Sequence, residues 1–130
     1  MTTILKQKGT YVYLSLSIIL IIAALIVGID DNPPGIILFY LGSVLFILAF
    51  THNWKRAKPY LFLVLFSILG LVISATLHNV LEAVGGEGTI LGIIGVAFFL
   101  IALLICPACL LVGIVGSIVK SIRKAEIVNN

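Results

Sequence analysis

Four runs of the chain, residues 11–28, 34–51, 60–77 and 89–119, contain no Asp, Glu, Lys, Arg or His. Each approaches or exceeds the ~20 apolar residues with which an α-helix crosses the ~30 Å hydrocarbon core of a bilayer. Inside that core no water is at hand for backbone N–H and C=O groups, so a crossing segment has to satisfy them internally, which a helix does. The runs therefore predict an all-α protein that is integral to a membrane.

Composition leaves little alternative. Of 130 residues, 62% are hydrophobic and 10% charged, and the mean hydropathy is +1.30. A soluble chain of this length buries only about two thirds of its surface, so much of this side-chain set would face water. With four spans of about 20 residues each, little chain remains for a folded extramembrane domain. The reading is a single transmembrane domain over residues 1–130, with 120–130 as a tail.

The first run follows Lys6 and Lys8 and ends at Asp30-Asp31-Asn32-Pro33-Pro34. A basic start before an apolar stretch also fits a signal peptide; here it reads as a retained first span. The second run has Asn32 as a candidate N-cap, with prolines where a helix has no need of their N–H groups. Its 18 residues reach about 27 Å as a helix. The loop 52–59 carries Lys55, Arg56 and Lys58, with Phe50, Trp54 and Tyr60 around it as an interfacial aromatic anchor. The third run is predicted to stay helical through His78 to Ala83, up to the break at Gly85-Gly86-Glu87-Gly88. The fourth, at 31 residues, would extend about 46 Å if straight. It must tilt, protrude or bend, and Pro107 is the expected bending point because it removes the hydrogen bond to the Leu103 carbonyl.

Charge gives an independent check on the alternation. If the four runs cross, Lys6, Lys8, Lys55, Arg56, Lys58, Lys120, Arg123 and Lys124 all fall on one side. Asp30, Asp31, Glu82 and Glu87 fall on the other, and only Glu126 stays among the bases. Basic residues in short loops are retained in the cytoplasm, so the expected orientation is N-in/C-in in the cell membrane. The pI near 9.0 does not point to nucleic acid, because the bases flank apolar runs and form no stripe or groove.

Helices in lipid associate largely through close packing of small residues. The fourth run carries such a seam: Gly88, Gly92, Gly95, Ala102, Cys106, Cys109, Gly113 and Gly116, spaced by fours and threes with an interruption at Phe99. Ser67, Gly70 and Ser74 share a face of the third run, Gly35, Gly42 and Ala49 one of the second, and Ser17, Ala24 and Gly28 one of the first. A compact, left-handed, antiparallel up-down-up-down four-helix bundle uses all four seams. The long seam is read mainly as intramolecular, and otherwise as shared with another protomer or subunit.

Two groups could carry chemistry. Cys106-Pro107-Ala108-Cys109 is a CxxC pair, able in principle to cycle between dithiol and disulfide or to bind a soft metal. Over those four residues it resembles the redox pair that vitamin K epoxide reductases and their bacterial relatives carry on a membrane helix. The resemblance implies electron transfer to a second cysteine pair, whereas Cys106 and Cys109 are the only cysteines in this chain. They read first as small packing residues near mid-membrane. His78 and Glu82, four apart, share a helix face at the outer interface, on the side of Asp30 and Asp31. That face could hold a divalent cation, although a His78–Glu82 hydrogen bond among solvated polar residues is the favoured reading.

What the spans lack argues against whole classes of function. Ion-coupled carriers generally need an ionisable group within the membrane. Small multidrug exporters share this length and span number but depend on an acidic residue in the first helix, and this first span has none. No core Ser or Cys has a His or carboxylate at its own depth to activate it. The reading is thus a non-catalytic accessory or structural subunit of a larger membrane complex, without a cofactor, whose partners are the lipid bilayer and other membrane subunits or copies of itself. Two alternatives stand beside it: a membrane thiol redox protein using Cys106 and Cys109, and a passive channel or carrier for a small neutral solute.

Overall fold

A computed structural model describes residues 8–86 and 88–129 as helices joined by short turns. The helices are α1 (Lys8–Val27), α2 (Pro33–Thr51), α3 (Ala57–Gly85), α4 (Ile90–Leu100) and α5 (Cys106–Asn129), with one wider turn, Ile101–Ile105, joining α4 to α5. Four helices are long and apolar enough to cross a membrane: α1, α2, α3, and the continuous α4–α5 unit over Ile90–Val128. Lys6 and Glu87, which entered the charge sorting, lie outside the described residues.

α1 and α2 form a pair in which the sevens pattern becomes contact. Thr10, Ser17 and Ala24 are the buried residues of α1, and they meet the α2 face that buries Gly35, Gly42 and Ala49. At Gly42 an added Cβ would lie 2.8 Å from Ile21 Cγ1 and 3.2 Å from the Ser17 carbonyl, so the two backbones come together because no side chain separates them. There the Ser17 hydroxyl donates to the Gly42 carbonyl at 2.8 Å. Interhelical hydrogen bonds in membranes average about 0.6 kcal/mol. Ser17→Ala should accordingly lower stability by about that amount, a loss readable as a small drop in the thermal transition in detergent.

The turn between these helices depends on backbone freedom. Gly28 adopts φ 92° and Asp31 φ 50°, a region that glycine enters freely and Asp tolerates. Asn32 stands at the N-cap position, but its side chain makes no cap bond to α2. It turns back instead and donates to the Val27 carbonyl at 2.8 Å. Pro33 and Pro34 remove two of the donors an N-cap would serve, whereas the last carbonyls of α1 lack helical partners.

The second group pairs α3 with α4 and α5. Tyr60, Ser67 and Ser74, again at sevens, are the buried residues of α3. Between α4 and α5 the ladder widens, and the Cys106 N–H reaches the Ile101 carbonyl. Pro107 is the physical cause: it brings no N–H, and its ring cannot sit against the Leu103 carbonyl, so the preceding turn opens to i→i+5 spacing. The irregularity expected at Pro107 thus falls in the turn before it.

The two pairs join through α2 and the α4–α5 unit. Neighbours therefore follow the order α1, α2, α4–α5, α3, an open series in which α1 packs along α2 and α3 along α4–α5. Ile47 of α2 meets Ala108 and Val112 of α5, and Tyr60 of α3 completes this small core. Tyr60, expected as an interface anchor, is only 4% exposed. Its ring fills the space left by Gly116, its hydroxyl donates to the Thr51 carbonyl at 2.6 Å, and Trp54 meets it edge-on at 5.0 Å.

Candidate functional site

The seam residues do not share one neighbour. Gly95, Gly113 and Gly116 pack on α3: an added Cβ would meet Leu81 at Gly95, Val64 and the Tyr60 carbonyl at Gly113, and the Tyr60 ring at Gly116. Gly92 closes instead on the Gly86 carbonyl of its own loop. Gly88 does not belong to the helix face, since it lies in that loop with φ 78°, ahead of Thr89, whose hydroxyl caps α4 by accepting from the Gly92 N–H at 3.1 Å. With Thr89 as the cap, α4 starts at Ile90, two residues too late for Gly88 to join the stripe. Ala102 falls in the wide turn.

Cys106 and Cys109 are free thiols, the first buried and the second half-buried. Cys106 packs where α3 has Gly70, and Cys109 reaches the hydroxyl of Ser67. Both therefore occupy the contact between α3 and α5, filling the space that small α3 residues leave.

At the other end of α3, His78 Nδ1 donates to the Gly95 carbonyl at 3.0 Å, while Nε2 faces the Glu82 carboxylate at 3.4 Å. The ring also packs 5.0 Å from Phe99. One nitrogen is thus committed to tying α3 to α4. Asp30 and Asp31 line a cavity with Phe99, Leu100 and Leu103. Among the described residues no three of His, Cys, Asp and Glu converge as a metal-ligand set.

Polar side chains along the spans are mostly turned inward on backbone. Ser43, Thr51, Ser67 and Thr76 each donate to the carbonyl four residues earlier, on Phe39, Ile47, Leu63 and Val72 respectively. Such bonds satisfy the single donor of each hydroxyl in a medium without water and leave only its oxygen lone pairs for another partner.

The largest departure from the sequence reading is at the basic end. A groove of about 400 Å³ opens between α2 and α5, walled by Val44, Leu48, Leu111 and Val115, with Tyr60 and Gly116 also lining it. His52, Lys120 and Arg123 bring polar and basic side chains to its lining. A second cavity of about 430 Å³ shares Lys120 and brings Lys55, Arg56 and Lys58 up to Lys124. From sequence these bases read first as topology signals, with attraction to an anionic leaflet as the second reading. The signal that could have found the groove is periodicity: Lys120 continues the threes and fours of Gly113 and Gly116, so the bases follow the packed face of α5.

Neither a protein-family model nor a curated protein nor a solved structure matches this chain.

Proposed function

We propose that the chain is a non-catalytic, four-span protein of the cell membrane that serves as an accessory or structural subunit of a larger membrane assembly. In this reading the spans run up-down-up-down with both termini in the cytoplasm. Contacts support the arrangement: Gly9 lies against His52, and the 55–58 loop shares a cavity with Lys120 and Lys124. The start of α1, the α2–α3 loop and the end of α5 thus gather at one basic end. Asp30, Asp31 and Glu82 lie toward the other, near Phe99 and Gly95. Positive-inside insertion places the basic end in the cytoplasm.

The observation that carries the subunit reading is the open order of neighbours. A closed bundle would give each helix two flanking partners, yet the extensive packing of α1 is along α2 alone and that of α3 along α4–α5 alone. A helix with one such partner keeps most of its surface for lipid or for another protein, and a second copy or another subunit laid against these flanks would complete the assembly. The inward-turned hydroxyls add to this, since the spans present few polar groups with which to bind or pass a cargo.

Cross-linking in native membranes, followed by mild solubilisation and native mass spectrometry, tests the proposal. The expected result is a discrete higher-mass species containing this chain, with cross-links from α1 or α3. A lone monomer under these conditions would defeat it.

A further inference from the structure

The two cavities at the basic end share Lys120 and differ in character. One descends between apolar walls of α2 and α5, and the other is a cup of cationic side chains. Among the described residues, none of Lys55, Arg56, Lys58, Lys120, Arg123 and Lys124 is paired with a carboxylate, because the one ion pair joins His78 to Glu82. Glu126 follows them on α5 but forms no ion pair among the described residues; cations gathered with so little counter-charge repel one another, and a bound anion relieves that repulsion. The groove beneath them is walled by apolar side chains, and hydrocarbon laid in it would gain the contacts its lining atoms offer.

We infer that this end of the molecule binds one anionic phospholipid, its phosphate held by Lys120 and Arg123 with the 55–58 loop around the headgroup, and one acyl chain laid in the groove between α2 and α5. An amphiphile with a negative head and a hydrocarbon tail is the ligand whose two parts match the two cavities. Basic pockets between transmembrane helices on the cytoplasmic side bind lipid headgroups through the same combination. The site joins the helix pairs at their shared core, because Tyr60 and Val112 line the groove as well as packing with Ile47. A bound lipid would therefore brace α2 against α5. The inference rests on the chain spanning a membrane but needs no partner subunit, so it survives a monomeric result in the cross-linking experiment.

The test uses the full chain, purified in mild detergent, and native mass spectrometry with added phosphatidylglycerol or phosphatidylcholine. The expected result is a single retained phosphatidylglycerol, preferred over phosphatidylcholine. Lys120→Gln should reduce that preference about fivefold, the effect of one base near an anionic lipid. Lys8→Gln, an equal charge change on α1, should leave it within about twofold, as Lys8 lines neither cavity. Val115→Trp, which fills the groove and keeps every charge, should also lower phosphatidylglycerol retention by about fivefold or more, because the acyl chain loses its apolar contacts. Equal losses for Lys8→Gln and Lys120→Gln would reveal general attraction to a basic protein and overturn the site. Undiminished binding by Val115→Trp would overturn the acyl-chain groove. Each variant is compared by size-exclusion profile, and if Lys120→Gln fails to fold, Arg123→Gln takes its place with the same expectation.

Discussion

Gly35→Ala should be among the most damaging methyl additions in this protein, costing about 3 kcal/mol, the upper end of ordinary overpacking. The new Cβ would fall inside the van der Waals envelope of the Gly28 carbonyl oxygen, and 2.8 Å from its carbon, where the obstacle is backbone and no side chain can rotate away. Gly28 cannot yield easily, since its φ of 92° and the hydrogen bond from its N–H to the Ala24 carbonyl fix the end of α1. The α1–α2 turn must then reopen, and with it the seam around Ser17 and Gly42. Gly95→Ala is the matched control. Its Cβ would first meet Leu81 at 3.4 Å, an ordinary contact, and alanine is favoured over glycine inside a helix by roughly 0.5–1 kcal/mol. SDS-titrated unfolding of the two variants should therefore move in opposite directions or separate by several kcal/mol; equal midpoints would mean the Gly28–Gly35 approach is not rigid.

The contrast between these two glycines shows what sequence can and cannot convey. Length and the absence of charge suffice to locate four helices, because in lipid the backbone has no other way to satisfy itself over such runs. The sevens in α1, α2 and α3 name the packed faces, since a side chain returns to the same side of a helix every two turns. Periodicity assigns a residue to a face, however, without saying how near the partner comes. Gly35, Gly92 and Gly95 all look like seam positions, yet Gly35 and Gly92 lie against backbone of their own turns and Gly95 against a neighbouring helix with room to spare.

Neighbour order is the second thing hidden. Four helices that are apolar all round can pack as a ring or as an open series, and small-residue seams favour neither strongly. The choice here rests on volume at specific heights. Ala108 and Val112 leave room for Ile47 on α2, while Tyr60 reaches across as a wedge between the helix pairs. No local pattern around Tyr60 announces this. As an aromatic residue just past a basic loop it resembles every interfacial tyrosine, and only the hole at Gly116 distinguishes it. The basic groove is concealed for the same reason, because its two walls belong to α2 and α5, at Leu48 and Leu111, far apart in the chain.

That wedge sets the second large effect. Gly116→Val is expected to destabilise the protein by about 3 kcal/mol, as the added atoms overlap the Tyr60 ring and force it out of the core. The displaced ring loses the hydroxyl bond to Thr51 and the edge contact with Trp54. Trp54, the sole tryptophan, should report the displacement as a shifted emission maximum in the folded protein. Tyr60→Ala removes the same wedge from the other side and should cost about 3–5 kcal/mol, typical of a buried aromatic truncated to alanine. The two changes act on one space, so they should not add. With the ring gone, the side chain introduced by Gly116→Val would occupy part of the hole, and the double variant should be less destabilised than the sum by about 0.5–3 kcal/mol, the coupling of residues in contact. Costs that summed to within about 0.5 kcal/mol would mean the sites act independently, and the helix pairs would then be joined by something other than this ring in this notch.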